Sequence, residues 1–201
     1  MALVITGLSA LTGCGGNADS NSTPSASQGN KPSASVSKTA PVGEHNKADV
    51  IFASQLILHH QQAVQMAGMS EYFAKTAAVK RLGTSLKGVN AVEVRQMSAL
   101  LVAWGEPIPS PSHSDHSVSD AVPGMMTEEE LSDLGDADGE LFDRMWTQMM
   151  IRHHRGAVAM AKIQQAAGKN PAMVGLAKKI LTRQNAEIAT MQRWLGQLPV
   201  N

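Results

Sequence analysis

The chain has 201 residues, with 17 Lys and Arg against 17 Asp and Glu and aromatic side chains at only 3%. A net charge of zero provides no field to gather nucleic acid or an anionic membrane surface, so neither is expected as a partner. The Ala, Leu, Met, Gln, Lys and Glu of its patterned stretches favour helix and argue against an all-β sandwich, and the length suits one buried domain with tails.

Residues 3–13 form a short apolar run that ends in small residues directly before Cys14, the only cysteine in the chain. This is similar to a bacterial lipoprotein signal, with Leu11-Thr12-Gly13-Cys14 as the lipobox, residues 1–13 as the cleaved peptide and Cys14 as the lipid-bearing residue. The expected location is therefore outside the cytoplasm, at the outer face of the cytoplasmic membrane or in the cell envelope, with lipid as the only hold on the membrane. No Lys or Arg precedes the run, a departure that a start upstream of Met1 would explain. Residues 14–45 are mostly Ser, Asn, Thr, Pro, Ala and Gly; burial there cannot offset chain entropy, and a flexible tether is expected.

Helical patterning then covers residues 46–76 and 78–104 and stops at Gly105-Glu106-Pro107, which predicts a first hairpin over 46–105. Residues 106–126, rich in Pro, Ser and Asp, read as a linker. Thr127 and Glu130 have the spacing of a capping box, in which each side chain satisfies the other's backbone N–H, so a short helix is expected to start there. A long helix over 137–167 ends at Gly168-Lys169-Asn170-Pro171, and a last one over 172–195 completes a second hairpin, 127–197. The expected fold is all-α, a four-helix bundle over 46–197.

The two hairpins read as copies. His59-His60-Gln61-Gln62-Ala63-Val64-Gln65-Met66-Ala67 aligns with His153-His154-Arg155-Gly156-Ala157-Val158-Ala159-Met160-Ala161 at an offset of 94 residues. The same offset places Asp49 on Asp143, Phe52 on Trp146, Leu82 on Leu176, Leu86 on Ile180, Glu93 on Glu187 and Met97 on Met191. A duplicated hairpin packed about a pseudo-two-fold axis would bring the special residues of both halves into one core.

Seven His and 12 Met are the unusual part of the composition. On a helix, residues three, four or seven apart share a face, so His153 lies on a stripe with Met149, Met150 and Met160, and His59 on one with Gln55 and Met66. Glu93 stands one turn before Met97, and Glu187 one turn before Met191. Thioether is a soft, uncharged ligand that suits Cu(I), and imidazole serves both Cu(I) and Cu(II), so mixed Met and His sites hold copper across its redox change. They also suit an exported chain without a free thiol. Met149 and Met160 lie about 16 Å apart at roughly 1.5 Å per residue, which favours several sites over one. Against this, Met on a helical stripe is ordinarily core filler, and two adjacent imidazoles point about 100° apart, so one of each pair is expected in the core and the other at a cap or in solvent. An inward glutamate needs a charge or metal partner, and Arg95 or Arg183 could be that charge. Met125, Met126, His113 and His116 in the linker offer a further, exposed metal site.

The run Phe142-Asp143-Arg144-Met145-Trp146-Thr147-Gln148-Met149-Met150-Ile151-Arg152-His153-His154-Arg155-Gly156-Ala157-Val158-Ala159-Met160-Ala161, followed by Gln184-Asn185-Ala186-Glu187-Ile188-Ala189-Thr190-Met191, resembles the domain-of-unknown-function 305 family, and the first half resembles it more loosely. The resemblance covers about residues 46–195. It implies a ferritin-like helical bundle, usually exported, in a family some of whose members handle periplasmic copper. The family's His-His, Met and Glu-x-x-x-Met positions carry over to His59, His60, Met66, Glu93 and Met97, and to His153, His154, Met160, Glu187 and Met191. The first half has Gln55 and Leu56 where the second has Met149 and Met150, which implies a weaker first site.

The leading expectation is a non-enzymatic, copper-binding lipoprotein that sequesters the metal or delivers it to a partner of unknown identity. A di-iron oxidase is the first rival, although the Glu-x-x-His motif of such sites is missing. A helical interaction module with purely structural His and Met is the second. Haem held by a His and a Met is the third, with no attachment motif to mark it.

Overall fold

A computed structural model of the chain describes residues 42–110 and 122–197, and among these it holds five helices and no strand. They are α1 (Lys47–Phe73), α2 (Ala77–Trp104), α3 (Glu128–Asp136), α4 (Gly139–Ala167) and α5 (Pro171–Leu195). Residues 1–41, with Cys14, the expected signal and most of the expected tether, lie outside the described residues, as do His113 and His116. None of the described helices is long and apolar enough to cross a membrane.

Local chemistry sets the helix ends. Asn46 and Asp49 form a capping box at the start of α1, and Thr127 with Glu130 forms the one expected at α3. Thr76 caps α2 by accepting from the Val79 N–H, and α2 stops at Gly105, whose φ of 77° is open to a residue without Cβ. Pro171 reads in sequence as the stop after the helix over 137–167, yet it is the first residue of α5. Its missing N–H is one that a helix start leaves unbonded in any case, and Asn170 accepts from the next two amides.

Helices α1 and α2 form one hairpin and α4 and α5 another, and the two join through α1 and α4. These central helices run antiparallel, since His59 meets His153 while Trp146 Nε1–H donates to the Met66 carbonyl at 2.9 Å. Each hairpin is also tied to the turn of the other by a buried carboxylate. Asp49 accepts from the Lys169 and Asn170 N–H groups at 3.1 and 3.0 Å, and Asp143 accepts from Lys75 and Thr76 at 3.1 and 2.9 Å. Burial opposes ionisation of Asp49, but the amides of Asn46, Asn170 and Lys169 and the Gln164 side chain hold its pKa below the usual carboxylate range. The connection leading into α3 is held by Gln62, which donates to the Met126 carbonyl at 2.8 Å and accepts from its N–H at 2.7 Å. It crosses α4 at Gly156, where any side chain would collide with the Pro123 carbonyl.

Two apolar clusters fill the interior. Phe52, Leu56, Ile57, Met97, Leu101, Met160, Met173 and Ile180 build one, and Met66, Leu86, Met126, Leu134, Phe142, Trp146, Met150 and Met191 build the other. Along each long helix the members of one cluster are followed by a stretch of polar residues and then by members of the other. A polar layer therefore crosses the interior between two apolar ends.

Candidate metal centre

The layer is made of His59 and His60 on α1, Asn90 and Glu93 on α2, His153 and His154 on α4, and Gln184 with Glu187 and Arg183 on α5. All four histidines are buried, with at most 1% exposure. This departs from the expectation that one imidazole of each pair would face a cap or solvent. The reason is position: α1 and α4 are each covered by a hairpin partner and by one another, so their buried arc exceeds the roughly 100° between adjacent residues.

His60 Nε2–H donates to Glu93 Oε2 at 2.8 Å, and His154 Nε2–H donates to Glu187 Oε2 at 2.9 Å. The two bonds span the same 33 residues of sequence, one in each hairpin. A carboxylate on Nε2 fixes the ring and its tautomer and directs the other nitrogen's lone pair inward, as carboxylates do for ligating histidines. His154 Nδ1 is buried and without a hydrogen-bond partner. His59 and His153 face one another across the centre with ring centroids 3.6 Å apart; both nitrogens of His59 and Nε2 of His153 also lack partners. Burial, reinforced by the neighbouring imidazoles, holds His59 and His153 well below the ordinary histidine pKa. Burial lowers His60 too, against the pull of Glu93. These three rings are thus neutral at pH 7, and His59 and His153 have lone pairs available.

Glu93 has the partner that an inward glutamate needs, and it is Arg183: Arg183 donates to Oε1 at 2.7 Å and to Oε2 at 3.0 Å, a bidentate pair. Arg95 is exposed. Burial works against the Glu93 carboxylate, but His60 and Arg183 prevail and bring its pKa down to about 2. Arg183 also lies near Glu187, with Nε 3.9 Å from Oε1.

The methionines do not gather around one point. Met97 and Met160 join one apolar cluster, while Met66, Met150 and Met191 join the other with Met149 packed against it. The Met66 and Met97 of one hairpin therefore lie at opposite ends of the interior. Met126 is 1% exposed and bonded through its backbone to Gln62, so it does not form part of an exposed linker site, and Met125 is partly buried against the first cluster. Sequence reasoning missed Asn90 and Gln184, whose side-chain oxygens are buried in the layer without partners. The offset of 94 residues relates these two positions as well and was the available signal.

As a donor set the layer fits a soft or borderline metal: neutral imidazoles with unshared lone pairs, carboxylates behind two of them, and thioethers in the adjoining clusters. In geometry it is not drawn closed on an ion. Among the described residues, no three His, Cys, Asp or Glu side chains are grouped so as to hold a metal. His59 and His153 lie against each other instead.

The model of a domain of unknown function, DUF305, matches residues 49–195. A DUF305 protein from Streptomyces coelicolor, described as secreted, is 31% identical, with a TM-score of 0.68 over 75% of this chain and 93% of that one. A DUF305 fragment from Deinococcus radiodurans is also 31% identical at a TM-score of 0.68, over 78% of this chain and 100% of that one. CopM in its Cu(II)-bound form is 29% identical, with a TM-score of 0.64 over 74% of this chain and 96% of that one, and it is known also in Cu(I)-bound, Ag-bound and apo forms. No curated protein matches the chain significantly. The family match over most of the sequence and the agreement of the helical fold lead to one conclusion: the chain belongs to the DUF305 family.

Proposed function

We propose that the protein is an exported copper-binding protein whose polar layer takes the metal through His59, His153 and His154, with His60, Glu93 and Glu187 supporting them. The observation that carries this reading is the set of buried imidazole nitrogens without hydrogen-bond partners, which as purely structural groups would each cost stability. CopM, of the same fold, binds Cu(I) and Cu(II), which favours copper as the cargo. Burial keeps the His59 and His153 imidazoles deprotonated at neutral pH, so binding displaces no proton from those two rings. Met97 with Met160, and Met66 with Met149, Met150 and Met191, border the layer as soft donors within the two clusters. The fold in this proposal is a ferritin-like four-helix bundle that arose by duplication of one hairpin. Export follows from the lipoprotein-like start, with lipid on Cys14, and accords with the secreted relative. Sequestration of copper at the cell envelope, or its delivery to an acceptor, is the resulting role.

A di-iron site has less support, because the buried carboxylates are committed elsewhere. Asp49 and Asp143 bond backbone amides, and Glu93 is paired with Arg183.

Competition between the full chain and a chromogenic Cu(I) chelator tests the reading. His59→Ala with His153→Ala should weaken Cu(I) binding at least tenfold and leave helical circular dichroism unchanged. Wild-type affinity in a folded double variant would refute it.

A further inference from the structure

The two halves of the polar layer share their His–Glu pairs and differ in the charge that meets them. His60 with Glu93 and His154 with Glu187 match in distance and in sequence span. Only Glu93, however, receives a guanidinium on both oxygens. At the offset of 94 residues the position equivalent to Arg183 is Val89 on α2, which has no charge to give Glu187. The difference also shapes the surface between α2 and α5. Arg183, Glu187, Arg81 and Trp194 line a narrow groove of about 420 Å³, whereas Val89, Glu93, Gly175 and Leu100 line its counterpart of about 1010 Å³. Each groove leads from solvent to one of the two carboxylates.

We infer that Arg183 serves as a built-in cation for the first half of the layer, occupying Glu93 so that the layer takes a metal ion through His154 and Glu187 and not a second one through His60 and Glu93. This rests on the copper-binding reading of the layer. The physical argument is charge neutrality in a buried place. A carboxylate with a bidentate guanidinium is already compensated, and a metal cation brought beside it is repelled by Arg183 with no uncompensated anion in return. Glu187, 3.9 Å from Arg183 Nε and with no bidentate partner, retains its capacity to support a cation. The weaker first site expected from Gln55 and Leu56 thus has a second cause, on the opposite hairpin.

Two substitutions that touch no proposed metal ligand test the inference in the full chain, with Cu(I) equivalents and affinities measured by chelator competition. Arg183→Val, which copies position 89, should add one equivalent, and that equivalent should disappear in Arg183→Val with His60→Ala. Val89→Arg, whose side chain enters the wider groove, should place a guanidinium on Glu187 and weaken binding in the layer at least tenfold. Should Arg183→Val fail to fold, Val89→Arg decides alone. Loss of binding on Val89→Arg supports the inference. Unchanged stoichiometry and affinity in the folded variants, with wild-type binding still dependent on His59 and His153, overturn it and leave the copper site standing. Binding independent of those histidines in the wild type removes the site itself.

Discussion

Arg183→Met is expected to destabilise the metal-free protein by about 3 kcal/mol, because it removes the partner from a carboxylate that stays buried. Glu93 is 6% exposed, and its pKa near 2 records how strongly His60 and Arg183 favour the charged form. The figure is at the low end for a broken buried pair, since the Arg183 side chain keeps 25% of its surface in contact with solvent. Glu93→Leu added to Arg183→Met should recover part of the loss, because it removes the uncompensated carboxylate, although it leaves the His60 Nε2–H without its acceptor. Urea unfolding of the four forms in the cycle provides the check. A loss under about 1 kcal/mol, or a double variant no more stable than Arg183→Met, would mean that the pair does not hold the layer together.

Acid should unfold the metal-free protein earlier than its carboxylates alone would dictate. His59, His60 and His153 have pKa values lowered in the folded state, so the unfolded chain binds more protons than the native one once the pH falls below about 6.5. Their contribution to stability is complete above that pH and is lost on acidification, at up to about 4 kcal/mol per pH unit for three groups at 1.36 kcal/mol each. Glu93 acts in the same direction but lower, between the ordinary carboxylate value of 4.5 and about 2. For a domain of ordinary stability, roughly 5–15 kcal/mol, a loss of this size brings acid unfolding to a higher pH than the carboxylates alone would. Chemical denaturation between pH 7 and 4.5 in the presence of a chelator should show this slope, and His59→Leu with His153→Leu should reduce it to about a third. A stability flat between pH 6.5 and 5 would show that the histidines are not held neutral.

Much of this architecture was legible in sequence because it is local. The capping box at Thr127, the stop at Gly105 and the hairpin turns depend on a few adjacent residues, and the structure has them where the spacing puts them. The offset of 94 residues located both His–Glu pairs without saying that they touch. What escaped depends on neighbours distant in sequence. That both imidazoles of each pair are buried follows from α1 and α4 being the central helices, which periodicity along one helix does not reveal. The scatter of the methionines has the same origin: Met66 lies about 10 Å along α1 from His59 at roughly 1.5 Å per residue, far enough to enter the next apolar cluster. Arg95 was the weaker partner for Glu93 on spacing alone, since residues two apart on a helix do not face each other. Arg183 and Glu187, four apart, read as a pair on one helix, yet the guanidinium crosses to Glu93 on α2.

The central claim is that the buried imidazoles, not the methionines alone, take the metal. Copper K-edge X-ray absorption on the Cu(I)-loaded full chain tests it most directly, because imidazole rings produce a multiple-scattering pattern that thioethers lack. The account predicts that pattern in the wild type and its loss when His59→Ala, His153→Ala and His154→Ala are combined. A shell of sulfur scatterers only, the same in wild type and variant, would contradict it and make the histidine layer a matter of packing.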